Sequence, residues 1–408
     1  MSTVSRAFAV LLASLTAVFG VAIASPAAAQ TVDEDPPGAA ASWLAGRFVD
    51  GNHLETVFDG TGYPDQGLTA DAVLAFDGVG VAQDLAVAAT DWLAEPDNVS
   101  FYAGNGTTDS YAGPLAKLAL VAIAQGADPT DFGGVNLIDD LQARQADSGR
   151  FSDLSGFGDF SNAITQSLAV ISLLRAGEDA ADGAGYLAAA PCDDGGFPLQ
   201  FEQPTCASQV DATGFAVQAM LAADLDASAA LDYLEGAQQP SGGFGDSGLG
   251  GVANANSTAL AAQALRVGGR TDAADGAVEY LLSLQVGCDG PTDQRGAIRY
   301  DDAGSGDTQR ATAQGLLGLS GVGLFEVDNT DAAAAVPAFD CPAAPSSSPA
   351  PTTSAQAGPV PGGGAELPAT GVRPLPATGV GALLVLVGFV LVLVARQRRT
   401  AVAKSDRQ

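Results

Sequence analysis

The feature that most constrains this chain is a weak internal repeat with a period near fifty residues. Its clearest form is Gln, three residues, Gly, any residue, Phe: Q-A-D-S-G-R-F at 145–151 and Q-Q-P-S-G-G-F at 238–244. Looser copies are A-G-R-F at 45–48, V-S-F-Y-A-G at 99–104, D-D-G-G-F at 193–197 and R-G-A-I-R-Y at 295–300. With the aromatic as marker, the copies fall at Phe48, Phe101, Phe151, Phe197, Phe244 and Tyr300, at intervals of 53, 50, 46, 47 and 56 residues. A unit of that length cannot bury its own apolar face, so six of them must stack on one another.

Each marker has a helical stretch on either side. Those before it, such as S-A-A-L-D-Y-L-E-G-A-Q and G-A-V-E-Y-L-L-S-L-Q, space apolar residues three and four apart and leave charges opposite. Those after it, such as P-L-A-K-L-A-L-V-A-I and S-T-A-L-A-A-Q-A-L, are apolar nearly all round and rich in Ala. That is the pattern of helices packed on every side. No run of β-branched residues alternates with period two over a useful length, so strands are not expected. The glycines before each aromatic permit a sharp turn between paired helices.

Six pairs of an outer amphipathic and an inner apolar helix predict an all-α fold, an (α/α)6 toroid with Gly-aromatic turns. Periodicity alone leaves an open helical solenoid as the alternative. The Gln-xxx-Gly-x-aromatic turns resemble those of the squalene cyclase and protein prenyltransferase repeat, over roughly residues 39–323. The resemblance implies the toroid shared by those enzymes, by complement-type thioester domains and by cobalamin carriers. It does not by itself imply an activity.

The chemistry of those relatives rests on particular residues. Triterpene cyclases of this fold protonate an alkene with a D-x-D-D-T-A motif at an inner-helix start. Here residues 254–259 read N-A-N-S-T-A, with Asn254, Asn256 and Ser257 where the acids would stand. An amide or hydroxyl cannot serve as the strong acid of that step. Asp211 lies seven residues before Gln218, Asn256 seven before Gln263 and Asp307 seven before Gln314. That shared spacing reads as a helix cap in three units, each worth about 1 kcal/mol. Asp211, Asn254, Asn256 and Asp307 are therefore expected at the rim of the ring's cavity, and no catalytic residue is assigned.

Prenyltransferase zinc ligands are missing too: the only histidine, His53, has no Asp-x-Cys partner. No metal site or cofactor is expected. No C-G-E-Q thioester stretch occurs. Glycosidases on this fold use paired carboxylates, but acidic residues are too abundant here for a pair to stand out, and Trp43 and Trp92 are the only tryptophans. Acidic loops such as D-S-G-R-F-S-D-L-S-G-F-G-D lack the spacing of a calcium loop.

The ends state a destination. Residues 1–29 carry one charge, Arg6, an apolar run over 7–24 and the exit S-P-A-A-A, which is a secretory signal cleaved between Ala29 and Gln30. A toroid domain is expected over residues 30–342, then a Pro/Ser/Gly spacer over 343–366 reaching about 70 Å if extended at about 3.1 Å per residue. Residues 367–408 hold L-P-A-T-G twice, a 17-residue apolar run at 379–395 and the basic tail 396–408. The apolar run is just long enough to span a bilayer, and the arginines hold the tail on the cytoplasmic side. The order resembles the LPxTG cell-wall sorting signal of Gram-positive surface proteins. That resemblance implies sortase cleavage between Thr and Gly, followed by covalent linkage to peptidoglycan. The copy Leu375, Pro376, Ala377, Thr378, Gly379 abuts the apolar run and is favoured over Leu367, Pro368, Ala369, Thr370, Gly371. The membrane is then a partner only before sorting.

The wall-linked piece, residues 30–378, carries 11 Lys and Arg against 46 Asp and Glu, a net charge of −35. Such a surface repels nucleic acid and anionic lipid. Cys192, Cys206, Cys288 and Cys341 are an even set in an exported chain, which argues for two disulfides. Neighbourhood in sequence favours Cys192–Cys206 and Cys288–Cys341 among three connectivities, worth about 3 and 4 kcal/mol on the chain-entropy model. The sequence thus reads as a wall-anchored surface protein whose toroid binds a small molecule or a partner protein. A terpenoid cyclase or prenyltransferase-like enzyme and a glycan-processing hydrolase are the alternatives.

Overall fold

The computed structural model describes residue 32, residues 34–246, 250–339 and 341. The signal, spacer and sorting segments read from the sequence lie outside the described residues. No helix among the described residues is long and apolar enough to cross a membrane.

Thirteen helices and one hairpin follow along the described chain: α1 Pro36–Ala45, β1 Glu55–Phe58, β2 Thr61–Pro64, α2 Gln66–Val79, α3 Gln83–Leu93, α4 Pro96–Ala103, α5 Ala112–Ala124, α6 Leu137–Gln142, α7 Ala163–Arg175, α8 Ala181–Ala188, α9 Val210–Ala222, α10 Ser228–Ala237, α11 Ala255–Val267, α12 Thr271–Leu284 and α13 Thr308–Ser320. The inner helices α2, α5, α7, α9, α11 and α13 pack each on the next, and α13 returns onto α2. The outer helices α1, α3, α6, α8, α10 and α12 each lie against the inner helix before them, with α1 taking α13. The molecule is a helical toroid, and the open solenoid is excluded by the α13–α2 contact.

Composition explains the two layers. In α5 the buried set includes Ala112, Leu115, Ala116, Leu118, Ala119, Leu120, Val121, Ala122 and Ala124, which covers all sides of the helix. In α12 only Ala274, Ala277, Tyr280, Leu281 and Leu284 are buried, at three- and four-residue spacing on one face. Small side chains let six inner helices approach closely around one axis.

The ring closes with the same bonds that join its interior units. At the internal joint, Gln238 Nε2 donates to Gly242 O at 2.9 Å and to Ala273 O of α12 at 2.8 Å. At the closing joint, Gln285 Nε2 donates to Gly296 O at 3.1 Å and to Pro36 O of α1 at 2.7 Å. Gly242 and Gly296 hold φ of +85° and +89°, and a Cβ on either would stand 2.2 or 2.3 Å from a carbonyl oxygen of the next outer helix. Only glycine fits there. The repeat is therefore a joint between units rather than a turn within one.

Three of the six sequence markers do not hold the marker's place in the structure. Phe101 lies in the extra helix α4 and is 66% exposed, while Phe151, Phe197 and Phe244 are fully buried. In the first and sixth units the structural equivalents are Leu54 and Ile298, not Phe48 and Tyr300. The backbone N–H of each donates to a polar side chain in the first turn of the following inner helix: Leu54 to Thr69, Phe197 to Thr213, Phe244 to Thr258 and Ile298 to Thr312, at 2.8–3.0 Å. Phe151 uses Gln166 at 2.9 Å. The expectation of no strands also fails at E-T-V-F-D-G-T-G-Y-P, where Asp59 and Gly60 take φ of +49° and +74° and turn a four-residue antiparallel hairpin. Asp-Gly is the sequence signal for such a turn.

Both disulfides join the expected partners. Cys192–Cys206 closes the connection between α8 and α9, and Cys288–Cys341 ties the end of the described chain to the segment after α12.

Candidate functional site at the ring's mouth

One end of the ring is shut by the segment that follows α13. Gln263 Nε2 donates to Val322 O at 2.8 Å, and Leu324 N donates to Gln218 Oε1 at 2.8 Å. Arg175 donates to Leu324 O and Val327 O at 3.0 and 2.6 Å. Asn329 N then donates to Ala124 O, Ala333 N to Gly80 O, and Gln83 N to Ala333 O. The strap thus visits the C-terminal ends of α11, α9, α7, α5 and α2 in turn. Connections that enter the N-terminal ends of the inner helices surround the other end, the mouth.

The centre is nearly full. A cavity of about 50 Å³ is lined by Asp71 of α2, Lys117 of α5, Leu168 of α7, Phe215 of α9, Leu260 of α11, Leu317 of α13 and the strap's Leu324. Asp71 is buried, with Lys117 Nζ at 2.6 Å and Arg310 at 3.6 Å, and it accepts from Gln314 Nε2 at 3.2 Å. Arg310 also reaches Asp65 at 2.8 Å. Burial alone would lower the Lys117 ammonium, but the Asp71 carboxylate beside it prevails and holds it at about 12. Asp71 spends its oxygens on this network.

The mouth holds the residues that the sequence singled out, in arrangements that it did not show. Asn254, not Asn256, is the cap of α11: its Oδ1 accepts from Ser257 N at 3.0 Å. Asp307 caps α13, accepting from Gln309 N and Arg310 N at 2.9 and 3.3 Å. Asp211 and Asn256 lie inside the first turns of α9 and α11, and neither is a cap. The seven-residue spacing to glutamine misled because Gln314 is two residues past Thr312, whereas Gln218 and Gln263 are five past Thr213 and Thr258. The first-turn threonine is the true register, and it was present in the sequence.

Residues 254–259 therefore do more than start a helix. Asn254 Nδ2 donates to Ser257 Oγ at 3.2 Å, and the Ser257 side chain hydrogen-bonds Asp211 on the neighbouring helix. Burial pushes the Asp211 carboxyl up to about 6, eased by Ser257 and reinforced by the buried Asp246. Asp211 Oδ1 and Asn256 Oδ1 are buried with no hydrogen-bond partner. The Tyr300 hydroxyl is raised by burial and then by Asp211. This wall of the mouth therefore holds a carboxyl pushed up to about 6 and two buried acceptor oxygens.

His53 is a core residue, stacked on Trp92 with ring centroids 4.7 Å apart. No group of three His, Cys, Asp or Glu side chains among the described residues is placed to hold a metal ion. Around the mouth the connections expose apolar side chains: Phe58 and Tyr63 on the hairpin, Phe101 on α4, Leu154, Phe157 and Phe160 before α7, and Val252 before α11.

No family model matches this sequence, and no curated protein does. Solved structures do match in shape. The type II terpene cyclase MstE from Scytonema aligns at 14% identity over 70% of this chain and 96% of its own, with a TM-score of 0.52. A glycosidase variant in complex with glucose aligns at 12% over 71% and 96%, at 0.53. A protein from Actinoplanes aligns at 16% over 70% and 98%, at 0.51. The shared feature is the toroid. At these identities the likeness is one of fold, common to terpene cyclase-like and glycosidase chains.

Proposed function

We propose that this chain is an exported surface protein, linked to peptidoglycan by sortase at Thr378, whose toroid is a binding module that works through its mouth. The observation that carries the binding reading is the central cavity of about 50 Å³. Small-molecule sites run to about 300–1,000 Å³, so this cavity is too small for an isoprenoid chain. The substitution of Asn254, Asn256 and Ser257 for acids removes the proton donor as well. Contact is then made at the mouth, on the exposed aromatic side chains. The signal, the spacer and the L-P-A-T-G motifs supply export, reach and attachment for such a head.

The test is retention of a ligand from growth medium or partner cells by cells displaying the protein, identified by mass spectrometry. Replacing Phe101, Phe157 and Phe160 together by Ala should abolish retention without changing the melting temperature. A cyclised product from squalene or a shorter isoprenoid with the wild-type protein would overturn the reading.

Glycan hydrolysis is the second reading, and Asp211 favours it. A carboxyl titrating near 6 beside a second buried carboxylate, Asp246, has the character of a general acid. It requires that Asp211→Asn abolish the release of reducing ends from a wall or storage polysaccharide. Wild-type protein that releases none would exclude it.

A further inference from the structure

Outside the ring's axis, a cleft of about 290 Å³ lies between the end of α8 and the loop closed by Cys192–Cys206. Nothing in the binding reading above uses it. We propose that this cleft is a binding site for a neutral saccharide, one or two pyranose rings in size.

The lining states the chemistry. Tyr186 and Phe201 form an aromatic corner, with ring centroids 5.2 Å apart and planes at 85°. Ala189, Ala190 and Pro198 extend that apolar wall, while Gln200, Glu202 and Gln203 ring the opening. A pyranose has one face of C–H bonds and a periphery of hydroxyls. The first suits an aromatic wall, and the second suits amides and a carboxylate that donate and accept. The volume is at the lower edge of small-molecule sites.

Other ligand classes fit less well. A purely apolar ligand would cover the amides and the carboxylate without partners, which is costly. An anion meets Glu202 on a strongly acidic surface. A cation would be drawn to Glu202 and the rings, but Arg150 Nη1 already stands 3.8 Å from Glu202. That guanidinium, itself fixed on Asp159 at 3.1 Å, offsets the carboxylate's charge. A neutral polyol keeps the hydrogen-bonding value of Glu202 and does not depend on its charge.

The rim is also held in place. Glu202 has a φ of +59°, in the left-handed region that side-chain-bearing residues rarely occupy, and its carboxylate lies 3.5 Å from the Tyr186 hydroxyl. The disulfide pins the loop four residues further on. A preformed aromatic and amide frame reduces the ordering cost of binding a flexible sugar.

The experiment is saturation-transfer NMR on the full-length chain in mild detergent. The probes are cellobiose, maltose and chitobiose, with choline as the cationic control. At least one disaccharide should be saturated, most strongly along one C–H face. Tyr186→Ala should weaken it about tenfold, the size of one lost aromatic contact, and Tyr186→Phe should retain it. Gln203→Ala, at an exposed position, should weaken it severalfold with no change in melting temperature, which separates loss of contact from loss of fold. Asp275→Asn, at an exposed position of α12, should leave it unchanged. The proposal is overturned if wild-type protein saturates none of the three sugars, if choline alone is saturated, or if Tyr186→Ala and Gln203→Ala both bind as wild type does. None of those results bears on ligand retention at the mouth.

Discussion

Asp77→Asn should make the protein more stable, and only at the pH where its carboxyl is ionised. Asp77 lies in the last turn of α2, beneath the strap, and is 4% exposed. Its Oδ1 accepts from Gln125 Nε2 at 2.5 Å, while Oδ2 is buried with no partner. Burial pushes the group from 3.8 to about 7, opposed by the Gln125 bond, reinforced by Asp328 and opposed again by Arg175. Below pH 4 both folded and unfolded chains hold the proton, and the residue contributes nothing to pH dependence. Between pH 4 and 7 the unfolded chain has released it and the folded chain has not, so stability falls as pH rises. Above pH 7 the full penalty is in place, about 4 kcal/mol from that difference. Asparagine keeps the acceptor for Gln125 and cannot ionise, but its buried amide lacks an acceptor at a cost of about 1–3 kcal/mol. The variant should therefore be weaker by about 1–3 kcal/mol at pH 4 and more stable by about 1–3 kcal/mol at pH 8. Urea unfolding of both proteins at pH 4, 6 and 8 measures it. The comparison between variants cancels the general self-repulsion of an acidic chain. A difference that stays constant across that range would refute the reasoning, because only a titrating carboxyl makes it grow.

Further outcomes follow from single contacts. Asn254→Ala should cost about 1 kcal/mol or more through the lost cap of α11, and Asn256→Ala much less; calorimetry showing the reverse order would move the helix start. Thr258→Val should strand the buried Phe244 N–H and cost about 1–3 kcal/mol, with the loss absent if the Phe244 amide is found exchanging freely in the wild type. Serine at both Cys288 and Cys341 should remove up to about 4 kcal/mol and speed hydrogen exchange at Leu324, Asn329 and Ala333. The same change at Cys192 and Cys206 should leave those strap amides protected. Wall digestion should release a head ending at Thr378; Arg396 to Gln408 still attached at the surface would remove the sortase proposal.

Twelve of the helices were legible because their signals are local: three- and four-residue apolar spacing for the outer set, all-round Ala-rich stretches for the inner. The disulfide partners were legible for the same reason, since each pair was the nearer in sequence. The strap was not, because residues 322–336 have no period, and their backbone groups acquire meaning only beside Gln218, Arg175 and Ala124, 106 to 205 residues away. The same limit governed the caps. Asn254 and Asn256 are two residues apart and chemically identical, and only the register set by Thr258 against Phe244 decides which one faces the free N–H groups. Asp211 read as one acid among many until α11 was laid beside α9, which buried it and placed Ser257 on it. Local periodicity determined that this chain forms paired helices. Long-range packing alone decided that they close on themselves, how small the central cavity is, and which polar groups are buried without partners, because burial belongs to neighbours in space rather than in sequence.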